Sequence, residues 1–290
     1  MNHREGYFSS HDNTRLYFQL WAHSDESSST NQDASKAIIA IVHGAGEHCG
    51  RYTNVVNHFV ERGYVLYGFD FRGHGKSGGK PGHVMSWLEY REDLDAFLKF
   101  IREENPSQPL YLYAHSMGGQ VALDYLTQAE PSQNWNSKLS GAIISAPALA
   151  RPNVSPLLIG LGKLLSRIWP GLMLENGLEV KAISRDPEVV KSYLDDPLVG
   201  SKVSARFGAE FMACIDRVQS NASKFQLPLF MFHGEADQII PVTGTQRFFN
   251  KVGATDKALK IYPGGFHEPH NDSQKVEVFQ DVVRWLESRA

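Results

Sequence analysis

A serine between two small residues ends an apolar run near the middle of the chain. Residues 110–118 read Leu-Tyr-Leu-Tyr-Ala-His-Ser-Met-Gly, with Ala114 two positions before Ser116 and Gly118 two positions after it. Small side chains at these positions permit a sharp turn from a strand into a helix, which exposes one hydroxyl at the edge of a sheet. Glycine is more usual in place of Ala114, but alanine needs little extra space, so we expect the turn to form. The pattern predicts Ser116 as a nucleophile.

The composition is that of a folded enzyme. The chain has 290 residues, of which 42% are hydrophobic, and its formal net charge of −3 offers no attraction for nucleic acid. The first residues lack the layout of a signal peptide, and we find no apolar stretch long enough to span a membrane. Two cysteines do not make a disulfide framework. We therefore expect a cytoplasmic protein, with peripheral membrane contact as an added possibility.

Apolar runs typical of buried strands alternate with segments of helical periodicity along most of the chain. The predicted strands are 6–10 and 15–22 as a hairpin, then 37–42, 64–70, 109–114, 139–146, 227–233 and 257–262. Helices are predicted at 52–62, 117–129 and 272–288, and a further helix is predicted to begin at a capping box formed by Ser86 and Glu89. The apolar face of the helix at 272–288 is predicted to carry Val276, Phe279, Val283 and Leu286. This order predicts one α/β domain over 1–290, with a mostly parallel sheet and helices on both faces.

Residues 150–224 interrupt the alternation. The segment is mostly helical in character and lies between two predicted core strands, so we expect an inserted helical cap rather than a separate domain. Its first part, 154–174, is apolar nearly all round, and Gly160, Gly162 and Pro170 are expected helix breaks. Two interpretations remain open: a helix packed on the core, or a lid that touches lipid outside and lines an acyl pocket inside.

A serine nucleophile needs an imidazole to take its proton and a carboxylate to orient that imidazole. In chain order, Asp237 and His267 follow Ser116, and each comes shortly after a late predicted strand. They are therefore the predicted acid and base. Glu235 is a rival acid, and His270 is a rival base.

The oxyanion of an ester intermediate needs two preorganised donors, for which backbone amides are well suited. The amide of Met117 directly follows the nucleophile. The second donor is expected from the loop His43-Gly-Ala-Gly46, at Ala45; the alternative is that this glycine-rich loop is only a tight turn. The later run from Asp70 to Ser77 lacks the spacing of a phosphate-binding loop and is interpreted as a supporting turn.

Together these motifs resemble the monoacylglycerol lipase and lysophospholipase group of α/β-hydrolases, a branch of the serine aminopeptidase-like, S33-type family. The matching segments span most of the chain: 43–52, 70–77, 115–119, 233–237, 262–267 and, in the expected cap, 193–197. The resemblance implies a serine hydrolase that cleaves monoacylglycerols to fatty acid and glycerol through an acyl-enzyme intermediate. It implies no metal and no organic cofactor.

The resemblance also implies substrate-binding residues. Glu47, Arg51, Tyr193 and His270 match positions that bind the glycerol end of the substrate, although Glu47 and Arg51 are equally suited to an ion pair that holds their loop. A lipid monoester is the implied partner, with transient contact between the cap and a membrane or micelle surface. The alternatives are a lysophospholipase or short-chain carboxylesterase, a peptidase, and a non-catalytic binding protein on the same scaffold.

Overall fold

The core of the protein is a mostly parallel sheet. The computed structural model describes residues 1–23, 35–128, 138–151 and 156–289. The described strands are β1 (Asn2–Ser9), β2 (Arg15–Ala22), β3 (Ile38–Val42), β4 (Val65–Phe69), β5 (Leu110–His115), β6 (Gly141–Ser145), β7 (Met173–Glu175), β8 (Lys202–Ser204), β9 (Leu229–Gly234) and β10 (Lys257–Tyr262). Eight of them form one sheet in the order β1-β2-β4-β3-β5-β6-β9-β10. The first two form the predicted antiparallel hairpin, β2 is antiparallel to β4, and the other neighbours are parallel.

Helices cover both faces of this sheet. They are α1 (Thr53–Val60), α2 (Leu88–Glu104), α3 (Ser116–Gln128), α4 (Pro156–Ile168), α5 (Pro187–Asp195), α6 (Ala205–Asn221), α7 (Thr243–Lys251) and α8 (Lys275–Glu287). The uninterrupted apolar sequence of β3 is explained by its burial on both faces of the sheet. Ile39 and Ile41 pack with α1 and α8, whereas Ile38, Ala40 and Val42 pack with α2, α3 and α6 on the other face. A strand buried on both sides has no position for a polar residue.

The capping box predicted before α2 is present. The Glu89 carboxylate accepts from the Ser86 amide at 2.9 Å, and the Ser86 hydroxyl accepts from the Leu88 amide at 3.3 Å. The predicted apolar face of α8 is partly wrong. Val276 is 61% exposed, because the buried face is formed by Val278, Phe279, Val282, Trp285 and Leu286. Apolar residues occupy so much of this helix that their periodicity does not single out one face.

Residues 150–224 leave the sheet after β6 and return to it at β9. In this segment α4 packs on α6, and α6 packs on α3. The two short strands β7 and β8 pair antiparallel, which the sequence did not indicate, because three-residue strands show no periodicity. Helix α4 runs through Gly160 and Gly162, so those predicted breaks are wrong, but it ends before Pro170 as expected. Within the described part of the chain, no helix is both long and apolar enough to cross a bilayer.

The junction of β5 and α3 forms the expected sharp turn. The strand ends at His115, and the helix begins at the next residue, Ser116, whose φ is +52°. A residue other than glycine in this conformation costs on the order of 1–3 kcal/mol, so the surrounding packing must hold it. Gly118 makes that packing possible. A Cβ there would lie 2.4 Å from the carbonyl oxygens of Val42 and His43, so the first turn of α3 lies directly against the end of β3.

Replacement of Gly118 by alanine tests this contact. We expect Gly118→Ala to lower the free energy of unfolding by about 1–3 kcal/mol, because the added methyl group forces two backbone segments apart. The control is Gly208→Ala in α6, where a Cβ meets nothing within 4 Å and removal of a helical glycine stabilises by about 0.5–1 kcal/mol. Urea unfolding of both variants measures the difference. Equal stability of the two variants would contradict the account of the close approach.

Candidate active site

Three side chains from distant parts of the chain form one hydrogen-bonded row. The hydroxyl of Ser116 lies 2.9 Å from Nε2 of His267, and Nδ1 of the same imidazole lies 2.7 Å from Oδ2 of Asp237. His267 follows β10 and Asp237 follows β9, so both lie at the carboxyl edge of the sheet, the edge at which β5 also ends. The structure thus brings together all three residues predicted as nucleophile, base and acid.

Asp237 is held in one orientation from several sides. Its Oδ1 accepts from the backbone amides of Ile239 and Ile240, at 2.8 and 2.9 Å, and its Oδ2 accepts from Nε2 of His233 at 2.9 Å. Burial by itself would raise the pKa of Asp237, but attraction to His267 and the hydrogen bonds from both histidines outweigh it and lower that pKa well below its usual range. The carboxylate is therefore ionised at neutral pH.

The pKa of His267 depends on the same ion pair with Asp237. Burial lowers its pKa, but attraction to the Asp237 carboxylate and the hydrogen bond between them prevail, so the pKa of His267 is raised above its ordinary value. The rival acid, Glu235, is exposed, and its carboxylate accepts from the Gly264 amide at 3.1 Å. The geometry therefore favours Asp237 as the carboxylate that orients the imidazole.

His270 lies behind the row, away from the cavity into which Ser116 opens. Its ring stacks on Tyr52 with centroids 5.0 Å apart and lies edge-on to His115 at 4.8 Å. Burial lowers the pKa of His270 to about 4, and neither ring nitrogen has a hydrogen-bond partner among the described residues. The ring is therefore neutral and packs beneath the site. A substrate contact for His270 stays a prediction.

The loop after β3 is fixed by its own side chains. Nε2 of His43 accepts from the Phe71 amide at 2.9 Å, so the other ring nitrogen carries the proton and donates to the Gly44 carbonyl at 2.7 Å. The Gly44 amide donates to the Glu47 carboxylate at 2.6 Å. Ala45 follows in this constrained loop and lines the same cavity as Ser116. The predicted oxyanion donors, Ala45 and Met117, thus belong to two segments that flank the serine.

A cavity of about 660 Å³ opens over Ser116. Most of its wall is apolar and comes from the segment 150–224 and from the loop after β9. These apolar lining residues are Leu174, Leu178, Ile183, Val203, Phe207, Phe211, Met212, Ile239 and Ile240. Four residues give it a polar end, namely Glu47, Arg51, Tyr193 and Glu268. The cavity therefore suits a ligand with a long apolar part and a compact polar part.

The polar end is a buried cluster around Arg51. Its guanidinium donates to the Glu47 carboxylate at 2.6 Å and forms two hydrogen bonds to Glu268, at 2.9 and 3.0 Å. The ring of Tyr193 covers the guanidinium face, with its centroid 4.5 Å from the central carbon. Glu47 and Arg51 therefore do form the ion pair that the sequence left open, and both also line the cavity. Sequence reasoning missed Glu268, although its place directly after His267 was a signal.

The segment 150–224 is bonded to both loops that flank the serine. On one side, the Gly200 amide donates to the Gly46 carbonyl at 2.8 Å, and His48 donates from Nε2 to Asp196 at 2.9 Å. On the other side, the Glu268 amide donates to the Ile183 carbonyl at 2.8 Å. These contacts attach the segment to the residues around the hydrogen-bonded row.

The sequence as a whole matches one protein family. The model of the family described as serine aminopeptidase, S33, matches residues 33–274. The chain belongs to this family. A monoacylglycerol lipase of Mycolicibacterium smegmatis is 33% identical over 276 residues, which cover 94% of this chain and 93% of that protein. The phospholipase YtpA of Bacillus subtilis is 30% identical, with coverage of 86% and 94%.

Solved structures agree with the sequence comparison. A soluble variant of monoglyceride lipase from Saccharomyces cerevisiae, in complex with a substrate analog, has a TM-score of 0.86 to this chain at 25% identity. The match covers 98% of this chain and 95% of that one. The predicted α/β-hydrolase fold and the predicted resemblance to monoacylglycerol lipases are both confirmed.

The raised pKa of His267 can be tested by removing its partner. In Asp237→Asn the attraction to the carboxylate is lost while the burial stays, so we expect the pKa of His267 to fall below its ordinary value. The matched control is Glu235→Gln, which removes a nearby carboxylate that is directed to the Gly264 amide and should leave the pKa of His267 as it is. Titration of the imidazole by NMR measures both variants. A fall in Glu235→Gln equal to that in Asp237→Asn would refute the assignment of the partner.

Proposed function

We propose that this carboxylic ester hydrolase cleaves monoacylglycerols to a fatty acid and glycerol through an acyl-enzyme intermediate. The observation that carries the proposal is the row of Ser116, His267 and Asp237, which opens on a cavity with a long apolar wall and a compact polar end. An acyl chain fits the apolar part and a glycerol unit fits the polar part. The monoacylglycerol lipases among the relatives support this substrate class.

In the first half of the proposed reaction, His267 accepts the hydroxyl proton of Ser116 on Nε2 while the serine oxygen attacks the ester carbonyl. Asp237 holds the imidazole and stabilises its protonated form. The amides of Ala45 and Met117 donate to the oxyanion, and each such donor is worth about 3 kcal/mol in the transition state. His267 then gives its proton to the departing glycerol oxygen, which leaves the acyl group on Ser116.

In the second half, a water molecule takes the place of glycerol. His267 accepts a proton from this water, whose oxygen attacks the acyl carbonyl. The second tetrahedral intermediate collapses when His267 returns the proton to the oxygen of Ser116, and the fatty acid is released. Glu47, Arg51 and Tyr193 contribute to the proposed glycerol subsite, where carboxylate oxygens accept from the free hydroxyls of the substrate.

We further propose that residues 150–224 act as a cap that touches a lipid surface. Ile168 and Trp169 at the end of α4 are 73% and 61% exposed, and Leu164 lies one turn earlier on the same helix. Lys163 and Arg167 on this helix supply positive charge for lipid head groups. Apolar side chains beside basic ones are typical of helices that lie in a membrane interface.

A lysophospholipase is the second candidate function. The similarity to a phospholipase of Bacillus subtilis favours it. The catalytic machinery would be the same, and only the head group in the polar subsite would differ. A peptidase is a third possibility, given the description of the family.

Substitution of the nucleophile tests the proposed mechanism. In Ser116→Ala we expect hydrolysis of a monoacylglycerol to fall about 10⁴-fold or more, and covalent labelling by a fluorophosphonate to disappear. The control is Ser220→Ala, an exposed serine of α6. A substrate panel of a monoacylglycerol, a diacylglycerol, lysophosphatidylcholine and an aminoacyl amide separates the candidate functions. Labelling that persists in Ser116→Ala would exclude Ser116 as the nucleophile.

Vesicle binding tests the proposed cap surface. Burial of a large apolar side chain contributes about 1.5–3 kcal/mol to the free energy of binding. We therefore expect Trp169→Ser to lower the affinity for vesicles, measured by cosedimentation, about tenfold. The control is Val276→Ser on α8, an apolar residue that is equally exposed but lies outside the segment 150–224. Equal binding by both variants would argue against contact through α4.

A further inference from the structure

Arg51 is the cation of the polar end of the cavity, and its charge is already engaged by two carboxylates. One terminal nitrogen donates to both Glu47 and Glu268, the other donates to Glu268, and Tyr193 covers the guanidinium face. An arginine that recognises phosphate normally offers this same planar pair of donors. The positive charge of the guanidinium is therefore shared between two carboxylates while Glu268 stays in place, so little of it is left to attract an anionic ligand.

Glu268 is itself held firmly. The amide group of Asn271 donates to its Oε2 at 2.8 Å, and Asn54 in turn donates to Asn271 at 2.9 Å. The side chain of Glu268 is only 4% exposed. These hydrogen bonds hold the Glu268 carboxylate beside Arg51.

The balance of charge at the polar end of the cavity adds to this effect. Two buried carboxylates, Glu47 and Glu268, face the single cation Arg51 among the described residues there. The two buried carboxylates also influence one another. Burial raises the pKa of Glu47 and repulsion from Glu268 raises it further, although attraction to Arg51 opposes both. The alcohol end of the cavity is therefore short of positive charge rather than rich in it.

We propose that Glu268 is a specificity-determining residue that excludes anionic head groups from the alcohol subsite. The inference rests on the proposed function, because it concerns the leaving alcohol of the same ester. Neutral polyols donate hydrogen bonds to carboxylates and are accepted. A phosphate monoester in the same position meets two buried carboxylates and a guanidinium that is already paired. Esters of neutral or cationic alcohols are the substrate class, and esters of glycerol phosphate are rejected.

Three esters with the same octanoyl chain test the proposal in the wild-type enzyme: the glycerol ester, the glycerol phosphate ester and the choline ester. Like charges brought together in a binding site are strongly unfavourable, so we expect kcat/KM for the phosphate ester to be lower than for the glycerol ester by about 100-fold or more. The choline ester, with a cationic head group, should not show this loss. Similar rates for the phosphate and glycerol esters would overturn the proposal.

Variants assign the effect to one side chain. We expect Glu268→Gln to reduce the preference for the glycerol over the phosphate ester about tenfold, and Glu268→Asp to retain most of that preference because it keeps the charge. Glu179→Gln removes one carboxylate of the same cavity that has no contact with Arg51 and should leave the preference nearly unchanged. A purely structural role of Glu268 would lower both rates together in Glu268→Gln and Glu268→Asp alike, with the ratio intact.

A second readout separates this inference from the proposed function. Inhibition of p-nitrophenyl ester hydrolysis by 1-O-octylglycerol and by its 3-phosphate reports head-group binding without any cleavage of a monoacylglycerol. Absence of monoacylglycerol cleavage with strong inhibition by the neutral ether alone would refute the proposed function and support the exclusion of anions. Equal inhibition by both ethers would refute the exclusion, whatever the enzyme cleaves. If Glu268→Gln does not fold, as judged by thermal melting, the ratio of inhibition by the two ethers in the wild-type enzyme decides whether anionic head groups are excluded.

Discussion

The close approach between the first turn of α3 and the end of β3 determines where every other part of the site must lie. Gly118 permits this contact, and Ser116 accepts a positive φ because of it. The same approach brings the loop after β3 beside the serine, where a Cβ on Gly44 would lie 3.2 Å from the Ser116 Cβ. Asp237 and His267 reach the hydroxyl because they follow β9 and β10, whose carboxyl ends lie at the same edge of the sheet. The strain of one residue is therefore offset by the packing of two parallel strands and a helix.

Around this frame, buried charges connect segments that are far apart in the sequence. Arg51 joins its own loop to the loop after β10 through Glu268, and it meets the segment 150–224 through Tyr193. Removal of Arg51 would leave both carboxylates buried without a cation, which is far more costly than the net value of the interaction. Such a cluster contributes little to overall stability, but it allows only one arrangement of the three segments. The polar end of the cavity is thus positioned by electrostatic interactions, whereas the rest of its wall is positioned by apolar packing.

Much of this arrangement could be predicted from the sequence, because its causes are local. The strands could be recognised as apolar runs because both faces of the sheet are covered. The meeting of Ser116, Asp237 and His267 could be predicted because parallel strands have their carboxyl ends at one edge of the sheet. Other features depend on tertiary contacts. Helix α7 was not predicted, because the polar residues of Thr243–Lys251 conceal its single buried face around Phe248. The role of Glu268 became visible only once Arg51 was seen to lie 2.9 Å from it.

The charge around the cavity also bears on the direction of the proposed reaction. A neutral ester enters, and hydrolysis converts it into a neutral alcohol and a carboxylate at the position of Ser116. That new anion forms in a cavity whose described lining has more carboxylates than cations, and in which Arg51 is already paired. Repulsion therefore weakens the binding of the fatty acid product relative to that of the uncharged substrate. The same carboxylates that select a neutral head group thus favour release of the acid once the ester bond is cleaved.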